Sequence, residues 1–145
     1  MKKSINNTAD LQEVFDRLGK LTPESKGLWG KMNVKQMLRH ISDAANFAFE
    51  TPNPNTKRRG VMLWMILNIP APKNAKTYPD LDMVANKVDP EEFEKERQRV
   101  KEIFGKVSAE KGPFKTNPFL GPLTKDEWGK LCFVHANHHC KQFGV

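Results

Sequence analysis

Thr124-Lys125-Asp126-Glu127-Trp128-Gly129-Lys130-Leu131-Cys132-Phe133-Val134-His135-Ala136-Asn137-His138-His139-Cys140-Lys141-Gln142 is the stretch that decides the fold. Thr124 with Glu127 three positions later is a full capping box, in which each side chain satisfies the other's free backbone N–H. It is the clearest helix start in the chain, and the helix is predicted to reach about Phe143. Trp128, Leu131, Cys132, His135, His139 and Gln142 then share one face. His135 and His139, four apart, stack on that face, and His138 lies nearer its edge.

Working back from this helix, a loop rich in Pro and Phe runs from Phe114 through Pro118, Phe119 and Pro122 to Leu123. Before it, a long helix is expected from Asp89-Pro90-Glu91-Glu92. Asp89 would be its cap, Pro90 would fit the first turn, and the acids suit the positive end of the dipole. Phe93, Val100, Ile103, Phe104 and Val107 form its apolar side, and Gly112-Pro113 closes it. An earlier helix opens at Asn33-Val34-Lys35-Gln36, a capping box with Asn in the lead, and runs to about Phe49. The first helix is capped by Asn7 or Thr8 and carries Leu11, Val14, Phe15 and Leu18, with Gly19 as its stop. Between the second and third long helices, Lys57 to Leu67 suggests a short helix, followed by a connection broken by Pro70, Pro72 and Pro79. No segment alternates with the period of two that a half-buried strand requires. The expectation is an all-α domain over residues 1–145, with four main helices and one long connection between helices two and three.

Composition agrees with one ordinary domain. The 145 residues are 38% hydrophobic, with 24 Lys+Arg against 17 Asp+Glu, and 9 Gly and 10 Pro exclude a fibrous or disordered chain. The net charge of +7 raises the question of nucleic acid. However, the longest basic run is only Lys57-Arg58-Arg59, and Glu94-Lys95-Glu96-Arg97 alternates like a solvated helix face. The expectation is therefore no nucleic-acid partner. The longest apolar run, Val61–Leu67, falls far short of the ~20 residues of a membrane span, and no leader is evident after Met1-Lys2-Lys3. Cys132 and Cys140 are eight apart, about 12 Å along a helix and beyond disulfide reach. A reducing cytoplasm is expected.

All four histidines lie on predicted helices. His40, with Gln36, Met37, Ala44 and Phe47 as helical neighbours, points towards the same interior as His135 and His139. Three imidazoles from two facing helices are what a three-histidine metal site needs, with a position left open for water or substrate. The alternative is equally specific. Each imidazole would be a hydrogen-bonded core group, His40 pairing with Asp43 or a backbone carbonyl, and His138 would be solvated. Cys132, one turn from His135, would be a fourth ligand or core filler, and filler is preferred.

The closing run His135-Ala136-Asn137-His138-His139-Cys140-Lys141-Gln142 resembles the His-x-x-His-His-x-x-Gln signature of some members of the DinB/YfiT-like superfamily. With Trp29-Gly30-Lys31-Met32 and Pro118-Phe119-Leu120-Gly121-Pro122-Leu123, the chain looks closer still to a subfamily of unassigned function. The resemblance implies a four-helix bundle, often a homodimer, holding a divalent metal, zinc or nickel, on His40, His135 and His139. Gln142 or Asp43 would orient a ligand. It also implies a metal-dependent enzyme acting on a small molecule, either a thiol-linked transferase or a hydrolase. A non-catalytic binding bundle of the same fold is the alternative. Relatives would carry a histidine where this chain has Asn117, before Pro118-Phe119. The Phe114–Leu123 loop is expected at the pocket mouth.

Overall fold

A computed structural model describes residues 2–145. Five α-helices follow in order: α1 (Thr8–Leu18), α2 (Val34–Asn46), α3 (Gly60–Asn68), α4 (Phe93–Ala109) and α5 (Lys125–Gln142). A 3-10 turn, Pro79–Leu81, lies between α3 and α4. Among the described residues no strand forms, and none of the helices is long and apolar enough to cross a membrane.

The local signals set most boundaries. Asn7 caps α1 through its side chain on the Asp10 N–H. Asn33/Gln36 and Thr124/Glu127 each form both halves of a capping box. Two ends differ from expectation. Helix α2 stops at Asn46, and Phe47–Phe49 tighten into turns that bond back to Ala45 and Asn46. Helix α4 starts at Phe93 behind Glu92, without a side-chain cap, leaving Asp89 and Pro90 outside. Its approach is held elsewhere, because the Gln36 side chain at the start of α2 donates to the Val88 carbonyl (3.1 Å). A tertiary tether thus overrides the local cap. Gly19 does end α1, but with φ −65°, so the stop is not a left-handed one.

Helices α1, α2, α4 and α5 enclose the core, built from Val14 and Leu18, Met37, Leu38 and Ile41, Val100 and Phe104, and Trp128, Phe133 and Ala136. Gly129 lets the N-terminal segment cross α5: a Cβ there would overlap the side chains of Ser4 and Asn6, and the Ile5 N–H bonds to its carbonyl (3.1 Å). Helix α2 packs most extensively on α4, and charge enters that interface. Glu96 is 1% exposed and takes both carboxylate contacts from Arg39 Nε (2.8 and 3.2 Å). The alternating run Glu94–Arg97 is therefore not simply a solvated face, since one of its acids is a buried ion-pair partner.

Helix α3 is apolar all round. Leu63 is buried, whereas Val61, Trp64, Met65 and the following Ile69 lie on an exposed stripe at helical spacing. The segment before α3 is sewn to the 114–123 loop and to α5. Thr56 Oγ1 donates to the Pro118 carbonyl (2.8 Å), the Arg59 N–H to the Leu120 carbonyl (2.9 Å), and Arg58 to both Glu127 oxygens.

Candidate metal centre

Helix α2 brings His40 to face the α5 pair. His40 Nε2 lies 2.9 Å from His135 Nε2, and His139 Nε2 lies 3.2 Å from the same atom. One ligand atom from each of the three lies within 4.8 Å of the others. His40 and His139 are buried, and His135 is half-buried on the pocket side.

The outer ring nitrogens fix which atoms carry protons. His40 Nδ1 sits 2.8 Å from the Leu81 carbonyl, which can only accept, so His40 donates from Nδ1. His139 Nδ1 sits 2.7 Å from Gln142 Oε1. The Gln142 amide is oriented by its other end, whose Nε2 donates to the Trp29 carbonyl (3.0 Å). His139 therefore donates from Nδ1 as well. Both Nε2 atoms are left as lone pairs aimed at His135 Nε2, which can offer a single proton between them.

Burial keeps these rings neutral. Desolvation lowers the His40 pKa, partly opposed by the Leu81 carbonyl, and pushes His139 down to about 3. His135 lies well below its ordinary value, first through burial and then through its two histidine neighbours. His138 is half-buried, and burial lowers it too; its ring meets the edges of Trp29 and His139.

The other expected site residues fall out as follows. Gln142 meets His139 through its Oε1. Asp43 does not touch His40. It pairs with Arg99 on α4 (2.7 Å), and the carbonyl of the 3-10 turn takes its place. Cys132 is outside the three-residue cluster; it packs in the core where the core meets the pocket wall, and burial pushes its thiol up to about 12. Asn117 is a turn-former, its buried Oδ1 accepting from the N–H groups of Phe119 and Leu120 (2.9 Å each). Of the Phe114–Leu123 loop, Asn117, Pro118, Phe119 and Leu120 line the pocket. Sequence reasoning missed the carbonyls of Leu81 and Trp29, because a backbone acceptor in an irregular segment has no residue signature.

The cluster lies in the wall of a pocket of about 1140 Å³, bounded by α2, α3, α5 and the Pro70–Asn86 segment. Gly30 permits the Trp29 approach: it has φ +82°, and a Cβ there would overlap Gln142 Nε2. The donor set fits a divalent ion. Three neutral imidazoles, the two outer ones each held at Nδ1 by an acceptor that leaves Nε2 free, match the way metal-binding histidines are oriented. Metal–nitrogen distances of ~2.0–2.1 Å in a tetrahedron place ligand nitrogens roughly 3.3 Å apart, close to the 2.9 and 3.2 Å that separate His135 Nε2 from its two neighbours.

Fold and site together define a helical protein with a three-histidine cluster in the wall of a large pocket. Over residues 2–144 the chain matches, and belongs to, the family described as protein of unknown function (DUF1569). No curated protein and no solved structure gives a significant match.

Proposed function

We propose that this chain is a metal-dependent enzyme of the DinB/YfiT-like type, a single-domain four-helix bundle of α1, α2, α4 and α5. His40, His135 and His139 would hold a divalent ion, zinc or nickel. The observation that carries this reading is the convergence of three Nε2 atoms with at most one proton among them. One proton satisfies one of the two close contacts, and a cation satisfies all three lone pairs. A bound ion would supply a Lewis acid able to acidify a thiol or a water that joins it.

The chain's own residues do the rest. Burial holds the imidazoles deprotonated, and the Leu81 carbonyl and Gln142 hold two of them in register. Cys132, with its raised pKa, stays a protonated core group rather than a nucleophile. The reaction is transfer to a low-molecular-weight thiol, or hydrolysis, on a small-molecule substrate. Residence in a reducing cytoplasm accords with two buried free cysteines. A homodimer belongs to the same proposal, which size-exclusion chromatography with light scattering tests.

Metal analysis of untagged protein is the primary test. About one ion per chain is expected, lost in the His135→Ala/His139→Ala double variant. Substoichiometric metal that the double variant leaves unchanged would overturn the reading. A second reading, binding without catalysis, draws on Asp43, which is engaged by Arg99 rather than by a histidine of the cluster. Assays with a panel of thiols and electrophiles, with and without added metal, separate the two. Metal retained with no turnover throughout favours the binding bundle.

A further inference from the structure

The distribution of charge around the pocket goes beyond the cluster. From Thr51 to Pro79 the chain has five basic residues, Lys57, Arg58, Arg59, Lys73 and Lys76, and no acid. Most of the net charge of +7 therefore lies in the segment that forms α3 and the pocket rim. Three lysines line the pocket, Lys31, Lys73 and Lys76, against one acid, Asp82. Asp82 Oδ1 accepts from the Ala85 N–H (3.0 Å) and keeps its charge, so the lining still carries three cations against one anion. Lys73 Nζ lies over the Trp29 ring, 4.9 Å from its centre; that ring meets His138, and the Trp29 carbonyl anchors Gln142.

The remaining wall is mostly apolar. Met65, Ile66 and Ile69 of the α3 region line it together with Phe47 and Phe119, around a volume larger than a small polar thiol fills. Met65 and Ile69 also belong to the exposed stripe with Val61 and Trp64, so the apolar surface continues from the pocket to the outside.

We propose that the pocket binds an amphiphilic anion, with its apolar body along α3 and its anionic group between Lys73, Lys76 and the histidine end. This rests on reading the pocket as the substrate site, and it specifies the substrate's chemistry. A free medium-chain carboxylate and an anionic lipid headgroup share that chemistry. A second copy of the chain fits poorly, because packing α3 on itself would set basic ends against basic ends.

The test is calorimetric titration of the purified protein with decanoate, decanol and decyltrimethylammonium, below their micellar concentrations. Sedimentation with vesicles of phosphatidylglycerol or phosphatidylcholine distinguishes the free from the bilayer source. Decanoate is expected to bind about 10-fold more tightly than either other head group, a difference within reach of two charge contacts. Lys73→Glu/Lys76→Glu, at two exposed positions, is expected to abolish that preference with metal content and circular dichroism unchanged. Sedimentation with phosphatidylglycerol alone, lost in the same variant, supports the anion and assigns it to the bilayer. Equal binding of the three head groups, preference for the cation, a preference that survives the double variant, or no binding in either format would overturn the proposal. Metal content is measured on the same samples. Stoichiometric metal without anion preference refutes this inference alone, and anion preference without metal refutes only the metal reading.

Discussion

Gln142 shows how much one amide settles. By donating to the Trp29 carbonyl it presents its oxygen to His139, which fixes the imidazole proton on Nδ1 and bares Nε2. Gln142→Leu removes that acceptor while preserving bulk. It should lower metal affinity by about 10–100-fold with the helical signal intact, as read by competition with a chromophoric chelator. Gly30→Ala should give a related loss from a loop position without any ligand atom, because its φ of +82° and its contact with the Gln142 amide both exclude a Cβ. Asn117 carries a different lesson. The buried side chain is spent on two backbone N–H groups, so Asn117→Ala should cost about 1–3 kcal/mol in urea unfolding and leave metal content unchanged.

At the scale of elements, what could be read in the sequence was what is local. The capping boxes of α2 and α5 and the Asn7 cap announce themselves within four residues, and the i,i+4 histidines follow from helical period alone. Removing one such cap, Thr124→Ala, should lower stability by about 1 kcal/mol, measured by thermal or urea melts. What could not be read is what depends on a distant partner. Asp89 has the composition of a cap, yet the Gln36–Val88 bond holds that stretch outside the helix. Glu96 sits in a run of alternating charge, and only the docking of α2 shows that it is the buried one. Glu96→Ala should cost about 2 kcal/mol; Arg39, 26% exposed, can still reach water, which softens the loss of a buried pair. Likewise the 3-10 turn that supplies the Leu81 carbonyl has no pattern linking it to His40.

Across the whole molecule the three imidazoles make stability depend on pH. Each titrates lower in the folded chain than its ordinary value of 6.5. Well above pH 6.5 both folded and unfolded chains hold them uncharged, so they contribute nothing to the pH slope. Below about pH 6.5 the unfolded chain takes up protons that the folded chain resists, and stability falls with pH. The slope is at most about 1.4 kcal/mol per pH unit for each histidine, until the folded groups titrate in turn. Urea melts of chelator-treated protein between pH 7.5 and 5 should show this decline, and the His135→Ala/His139→Ala variant should show a shallower one. A flat profile for the unsubstituted chain would contradict the buried, neutral cluster.

The convergence of lone pairs also bears on how long the chain survives in a cell. A ligand that binds only the folded form adds stability as its free concentration rises, about 2.7 kcal/mol at a hundred times its dissociation constant. Metal-starved chains would then open more often and be cleared by proteases sooner. Pulse–chase turnover under chelation would be faster for the unsubstituted protein and indifferent to metal in the double-histidine variant, so that abundance itself would register metal supply.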